Sequence, residues 1–221
     1  VTNVDGIADW IPDFLLRSVR SNSGVRDAQV SGYLVHARRV NGSVVRLMGV
    51  DLAELDQHTI LQIVQAGENP NAVVNIKKSN HVMGSAKLAG RPHGIAALTV
   101  SELHAALAGG GHLHEFERKN VAYVSRRLKT HSLVSSVEMV CESVLQVRRS
   151  NGRSHIDFAL TDDYKINLAL LDSMLELHPS ISAVVVTNSY GVPTRAAVEY
   201  AKTRGVRLCT VEEFWKSMSD A

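Results

Sequence analysis

The sequence is poor in aromatic residues, poor in cysteine and nearly balanced in charge, and each shortage removes a class of protein. Phe, Trp and Tyr make up 5% of the 221 residues. Val, Leu, Ile and Ala must therefore fill the core, within an apolar fraction of 45% that is ordinary for a globular chain. The two cysteines, Cys141 and Cys209, stand in apolar, strand-like runs and form no CxxC pair. That predicts buried, reduced thiols in a cytoplasmic protein. No apolar run approaches the roughly 18 residues that would span a bilayer, so no membrane is expected as a partner. The opening residues, VTNVDGIADW, carry neither a basic stretch nor an apolar one and predict no secretory leader. Val1 in place of Met fits either trimming or a GTG codon read literally, the second in a bacterial or phage gene. A net charge of +2 with ten His permits nucleic-acid binding without arguing for it. The Walker pattern, GxGxxG and GxSxG are absent as well.

What the chain does have is itself, twice. At an offset of about 110 residues, HARRVNGSVV (36–45) meets QVRRSNGRSH (146–155) and AVVNI (72–76) meets AVVVT (183–187). Gly94, Thr99, Val100 and Glu102 then meet Gly205, Thr210, Val211 and Glu213 with no gap. Between Ala72 and Glu102 eight of 31 positions are identical, where chance would give about two. The expected organisation is a first repeat unit over 1–108 and a second over 112–221. Gly109-Gly110-Gly111 reads as a flexible linker between them.

The two copies share one pattern. Helical spacing predicts an opening helix over 8–20 and again over 115–129. β-rich runs follow at 29–40 and 138–149. Each leads to an Asn-Gly pair, Asn41-Gly42 and Asn151-Gly152, a hairpin signal because both residue types tolerate positive φ. Return strands over 43–50 and 154–161 precede helices over 52–66 and 164–177. The all-apolar runs 72–76 and 183–187 fit strands buried on both faces. A further helix reaches Gly94 or Gly205 as its C-cap and gives a last strand, over 95–98 or 206–209. Thr99-x-x-Glu102 and Thr210-x-x-Glu213 are capping boxes that start terminal helices. The expected fold class is α/β: two tandem copies of an α-β-β-α-β-α-β-α unit with mixed sheets.

In the second copy, residues 183–214 resemble the end of the Mrr-type restriction endonuclease domain, of the restriction-endonuclease-like superfamily. The matching residues are Val186, Thr187, Ala197, Tyr200, Ala201, Val206 and Leu208. EFERKNVAYVSRRL is similar to that family's opening helix, and GRSHIDFAL to the strand carrying its first catalytic aspartate, here Asp157. The resemblance covers about 100 residues of the second copy and reaches the first only through the repeat. The tail also resembles the end of a BRCT domain. The nuclease resemblance implies a degenerate tandem duplication of nuclease-like architecture. It also implies two carboxylates that hold Mg²⁺ and a Lys that activates water: catalytic Asp157, Asp163 and Lys165, with Asp157 and Asp163 as metal ligands. Only a few residues separate Asp157 from Asp163, and Asp162-Asp163 reads equally well as a cap on the following helix. The first copy has Arg46, Leu52 and Glu54 at the three positions and retains no such chemistry.

Arginine pairs recur before the two turns, Arg38-Arg39 and Arg148-Arg149. Strand alternation lets at most one of each pair face a common ligand. Arg126, Arg127 and Lys129 add charge to the second opening helix. These seven side chains are the candidates from which phosphate contacts are expected; the alternative is a solvated edge. His104, His112, His114 and Glu115 offer a possible zinc set, and Lys77-Lys78-Ser79-Asn80 a possible phosphate loop. The expected function is nucleic-acid binding, duplex DNA foremost, by a catalytically degenerate protein of bacterial or phage DNA processing or defence. The alternatives are a protein-interaction module and a Mg²⁺-dependent endonuclease in the second half.

Overall fold

A computed structural model describes residues 7–218 except 78, 80 and 151. The first six residues, Lys78, Asn80 and Asn151, on which some of the expectations fall, lie outside that set. The chain divides into two compact units, Val1–Phe116 and Glu117–Ala221.

The first unit runs α1 (Ile11–Arg20), β1 (Val25–Ser31), β2 (Leu34–Arg39), β3 (Val44–Val50), β4 (Glu54–Leu55), α2 (Gln57–Gln65), β5 (Ala72–Asn75), β6 (His81–Val82), α3 (Gly84–Gly90), β7 (Ala96–Thr99) and α4 (Val100–Gly109). Its main sheet has the order β1-β2-β3-β5-β7: an antiparallel meander of three strands, then two strands parallel to β3. Strand alternation sorts the apolar residues to two faces. Val35, Ala37, Val45, Leu47, Val74 and Leu98 pack with Leu15 and Val19 of α1 and Leu103 and Leu107 of α4. Met48, Val50, Val73 and Ala97 pack on the other face with Ile60 and Ile63 of α2 and Ala86 of α3.

The second unit repeats the order: α5 (Lys119–Lys129), β8 (Val134–Cys141), β9 (Val144–Arg149), β10 (Ile156–Thr161), β11 (Lys165–Ile166), α6 (Leu168–Leu177), β12 (Ala183–Val186), β13 (Val192–Pro193), α7 (Arg195–Thr203), β14 (Arg207–Thr210) and α8 (Val211–Ser217). Its sheet order, β8-β9-β10-β12-β14, is the same. So is the register: Leu47 lies opposite Ala72 in one sheet and Phe158 opposite Ala183 in the other, each residue 111 positions along. Both capping boxes form, with Thr99 and Thr210 accepting from the backbone N–H of Glu102 and Glu213. The architecture is α/β, with two similar five-stranded mixed sheets and flanking helices, consistent with a duplicated unit.

Three expectations change. The β-rich run before each Asn-Gly is two strands, so the unit is α-β-β-β-α-β-α-β-α before its short ladders are counted. In the first unit the extra turn falls at Gly32, whose φ of +61° only glycine adopts freely. In the second, the turn falls between Cys141 and Val144 with no glycine to announce it. Helices α2 and α6 begin later than the apolar spacing suggests. The backbone before each is tied into a two-residue parallel ladder, β4 with β6 and β11 with β13. The helices then start on side-chain caps, Asp56 accepting from Thr59 N–H and Asn167 from Leu170 N–H. Finally, the glycine run is part of the first unit. Gly109 closes α4, Gly110 is its left-handed cap at φ +79°, and the Gly111 carbonyl accepts a hydrogen bond from Arg39.

Among the described residues, no helix is long and apolar enough to cross a membrane. Among the described residues both cysteines are buried and neither is in a disulfide, and burial pushes the Cys209 thiol up to about 11.

Candidate functional site

Asp157 sits early on β10, opposite Gln146, whose Nε2 donates to its carboxylate at 2.8 Å. Alternation puts Asp157 on the face of Ala159 and Thr161, away from the buried Phe158 and Leu160. Asp163 lies beyond the other end of the strand, where its carboxylate accepts from Thr161 Oγ1 at 2.6 Å. Four residues of extended chain separate Asp157 from Thr161, about 13 Å. Lys165 is exposed on β11, outside the main sheet. The three residues are therefore not brought together. Among the described residues, neither Asp157 nor Asp163 belongs to a trio of His, Cys, Asp or Glu with its ligand atoms gathered. A Mg²⁺ ion bound at 2.0–2.6 Å by both carboxylates does not fit this arrangement. Asp162 and Asp163 do not cap α6 either; Asn167 does.

The arginines divide. Arg38 is exposed on β2, opposite Val44. Arg39 is 3% exposed. Its Nη1 donates to the Gly111 carbonyl at 2.7 Å, and its Nη2 to those of Ala106 and Leu107 at 3.0 and 3.1 Å, which closes the C-terminus of α4. Among the described residues no carboxylate pairs with Arg39, and its buried Nε has no hydrogen-bond partner. Burial lowers its pKa below the ordinary arginine value. In the second unit Arg148 is exposed and ion-paired with Glu138 at 3.3 Å. Arg149 is half-buried and donates to the carbonyl and hydroxyl of Ser154. On α5, Arg126 and Lys129 are exposed. Arg127 lies over the Trp215 ring at 5.3 Å, 3.7 Å from the Glu212 carboxylate.

The sheet register builds one further group. On the first unit's sheet, the face that α2 and α3 cover at Met48 and Val50 continues outward through His36, Arg38, Val44 and Arg46, where it is open. His36 lies opposite Arg46. Asp27 lies opposite Arg38, with its carboxylate accepting from the Ala28 N–H. Among the described residues neither Arg38 nor Arg46 is in an ion pair.

Arg46 also lines a polar groove of about 490 Å³ at the end of the sheet where β3, β5 and β7 begin. Asn71, His93, His112, His114 and the buried Arg39 share its wall, and no carboxylate does. The rings of His112 and His114 lie 5.5 Å apart. His104 is elsewhere, bonded to Ser18 Oγ at 2.8 Å, so the histidines considered for zinc are not one set. Lys77 is ion-paired with Asp51 at 2.7 Å. Sequence reasoning missed the groove because its residues come from four separated segments.

Comparison of the chain with known protein families, with characterised proteins and with solved structures gives no match.

Proposed function

We propose that the chain is a nucleic-acid-binding protein of nuclease-like architecture, that duplex DNA is its ligand, and that it does not cut it. The observation that carries this reading is the open sheet face of the first unit. There, among the described residues, Arg38 and Arg46 stand free of ion pairs beside His36. Two such guanidiniums, on neighbouring strands, suit successive phosphates. The nuclease-like part rests on element order in the second unit: the opening helix α5, the Asp157 strand β10, then β12, α7, β14 and a capping box follow as the resemblance implies. The absence of cleavage rests on the separation of Asp157 from Asp163.

The test is duplex binding by fluorescence anisotropy at two salt concentrations. The wild type binds, and Arg38→Ala/Arg46→Ala flattens the salt slope by about two units, one for each phosphate no longer neutralised. An unchanged slope removes this face from the reading. Incubation of duplex with Mg²⁺ or Mn²⁺ leaves it intact; cleavage abolished by Asp157→Ala overturns the second half of the proposal.

A second reading, recruitment of a protein partner, is favoured by one feature of the second unit. Tyr164, Tyr190 and Val192 are 69%, 76% and 60% exposed, and the Val192 N–H donates to the Tyr164 carbonyl. If the wild type shows no salt-dependent DNA binding, this reading takes over.

A further inference from the structure

We infer that the groove at the strand-start end of the first unit's sheet is a binding site for a terminal phosphate monoester. It goes beyond the duplex-binding reading and shares Arg46 with it. The argument begins with Arg39. A buried guanidinium without a carboxylate leaves a positive charge in a poorly solvated wall. Three backbone carbonyls take two of its nitrogens, and the third, Nε, has no partner among the described residues. That charge stands behind a groove whose other ionisable side chains are Arg46, His93, His112 and His114, all cationic or neutral and none anionic. The Glu115 carboxylate lies 4.0 Å from His114 Nε2 and outside the lining. The side-chain Oδ1 of Asn71 accepts from the Arg46 backbone N–H at 2.8 Å, which turns the side-chain amide of Asn71 into a fixed part of the wall.

The donors outnumber what a bridging diester uses. A neutral imidazole offers one N–H and Arg46 up to five, and a monoester dianion accepts on three oxygens. A volume near 490 Å³ is that of a small-ligand site. At the equivalent place in the second unit Asp157 stands where Arg46 does in the first, a carboxylate in place of a guanidinium. Such a monoester has two sources with the same chemistry, a free mononucleotide and the 5′ end of a nucleic-acid strand.

The experiment uses the whole chain and reads binding by calorimetry. The probes are inorganic phosphate, adenosine 5′-monophosphate, adenosine, and an oligonucleotide duplex with and without 5′-phosphates. Expected results are binding of phosphate and of the monophosphate but not of adenosine. Arg46→Ala and the double variant His112→Ala/His114→Ala should each weaken it by about tenfold. Both sites are surface positions, so the variants remain folded, as circular dichroism checks. A 5′-phosphorylated duplex that binds tighter than its hydroxyl twin assigns the source to strand ends; tightening by the mononucleotide alone assigns it to free nucleotide. No binding of phosphate or monophosphate at millimolar concentration overturns the inference, as does binding that the His112/His114 variant leaves unchanged. Duplex binding that persists through either failure shows that the duplex-binding reading stands without the groove.

Discussion

The open sheet faces of the two units have the same backbone and opposite electrostatics. Gln29, His36 and Arg46 of the first correspond in register to Glu138, Gln146 and Asp157 of the second. In the second unit the polar groups are spent on each other: Arg148 pairs with Glu138, and the neutral Gln146 donates to Asp157. In the first, Arg38 and Arg46 remain available. A shared ladder therefore carries two surfaces, because the pleat fixes where a side chain points and leaves its chemistry free. The same holds below the surface. Arg39 is buried and closes a helix, whereas among the described residues its counterpart Arg149 donates to Ser154.

The sharpest break of this comparison is in stability. The chain has two tryptophans, Trp10 and Trp215, one in each unit, so single-tryptophan variants follow the two unfolding transitions separately. Arg39→Ala should cost the first unit on the order of 3 kcal/mol, since two helix-end carbonyls and that of Gly111 lose charged donors. It is read from Trp10 emission during urea unfolding in a Trp215→Phe background. Arg149→Ala should cost the second unit under about 1 kcal/mol, read from Trp215. Equal losses would mean that the two arginines are equivalent after all.

Next comes a charge exchange between the faces. Arg46→Asp should reduce duplex affinity at low salt by about tenfold or more, by removing one attraction and adding one repulsion. Asp157→Arg should raise it, by a smaller factor because Arg148 remains neutralised by Glu138. Loss in both variants, or in neither, would break the assignment of binding to the first unit. Arg148→Ala should change affinity less than about twofold, since the ion pair it leaves is exposed.

The smallest expected effect concerns the helix caps. The Asp56 carboxyl lies below the ordinary carboxylate range because it accepts the Thr59 backbone N–H, and Glu213 does so because it accepts that of Thr210. A depressed native pKa gives stability that is present above the unfolded value and lost as pH falls through the native one. Asp56→Asn keeps the cap and loses the charge. It should be less stable than wild type by about half a kcal/mol at pH 7, with solvent screening most of the effect. Once the pH lies below the native pKa of Asp56 the two should melt together. A gap that persists there would show that charge is not the source.

Much of the fold was legible in the residues because the strongest signals are local. Thr99 and Thr210 with their glutamates mark two helix starts, and the all-apolar runs at Ala72 and Ala183 mark the two central parallel strands. Gly42 turns the hairpin with φ +87° in a three-residue loop, with the Arg39 N–H donating to the Ser43 carbonyl, rather than in the two-residue turn that Asn-Gly suggests. The β1–β2 and β8–β9 turns were not legible, since a β-rich run continues through them. The candidate site was legible only in part. Alternation correctly separates Arg38 from Arg39, yet nothing local says which of them faces the core. That depends on α4, some 67 residues downstream at Ala106.

The repetition of register has a consequence for how the chain acquires its structure. In an unfolded chain the shared register would let β5 pair with β10 as it does with β3. Nascent multidomain chains are prone to this kind of mispairing. Asn75, at the end of β5, distinguishes the two. Its buried amide donates to the carbonyls of Leu52 and His81 and accepts from the Leu52 N–H, whereas Val186 occupies that position on β12. A β12 strand inserted into the first sheet would strand those polar groups, and a β5 strand in the second would bury an amide among valines. One asparagine thus makes chemically unlike two strands that share a register.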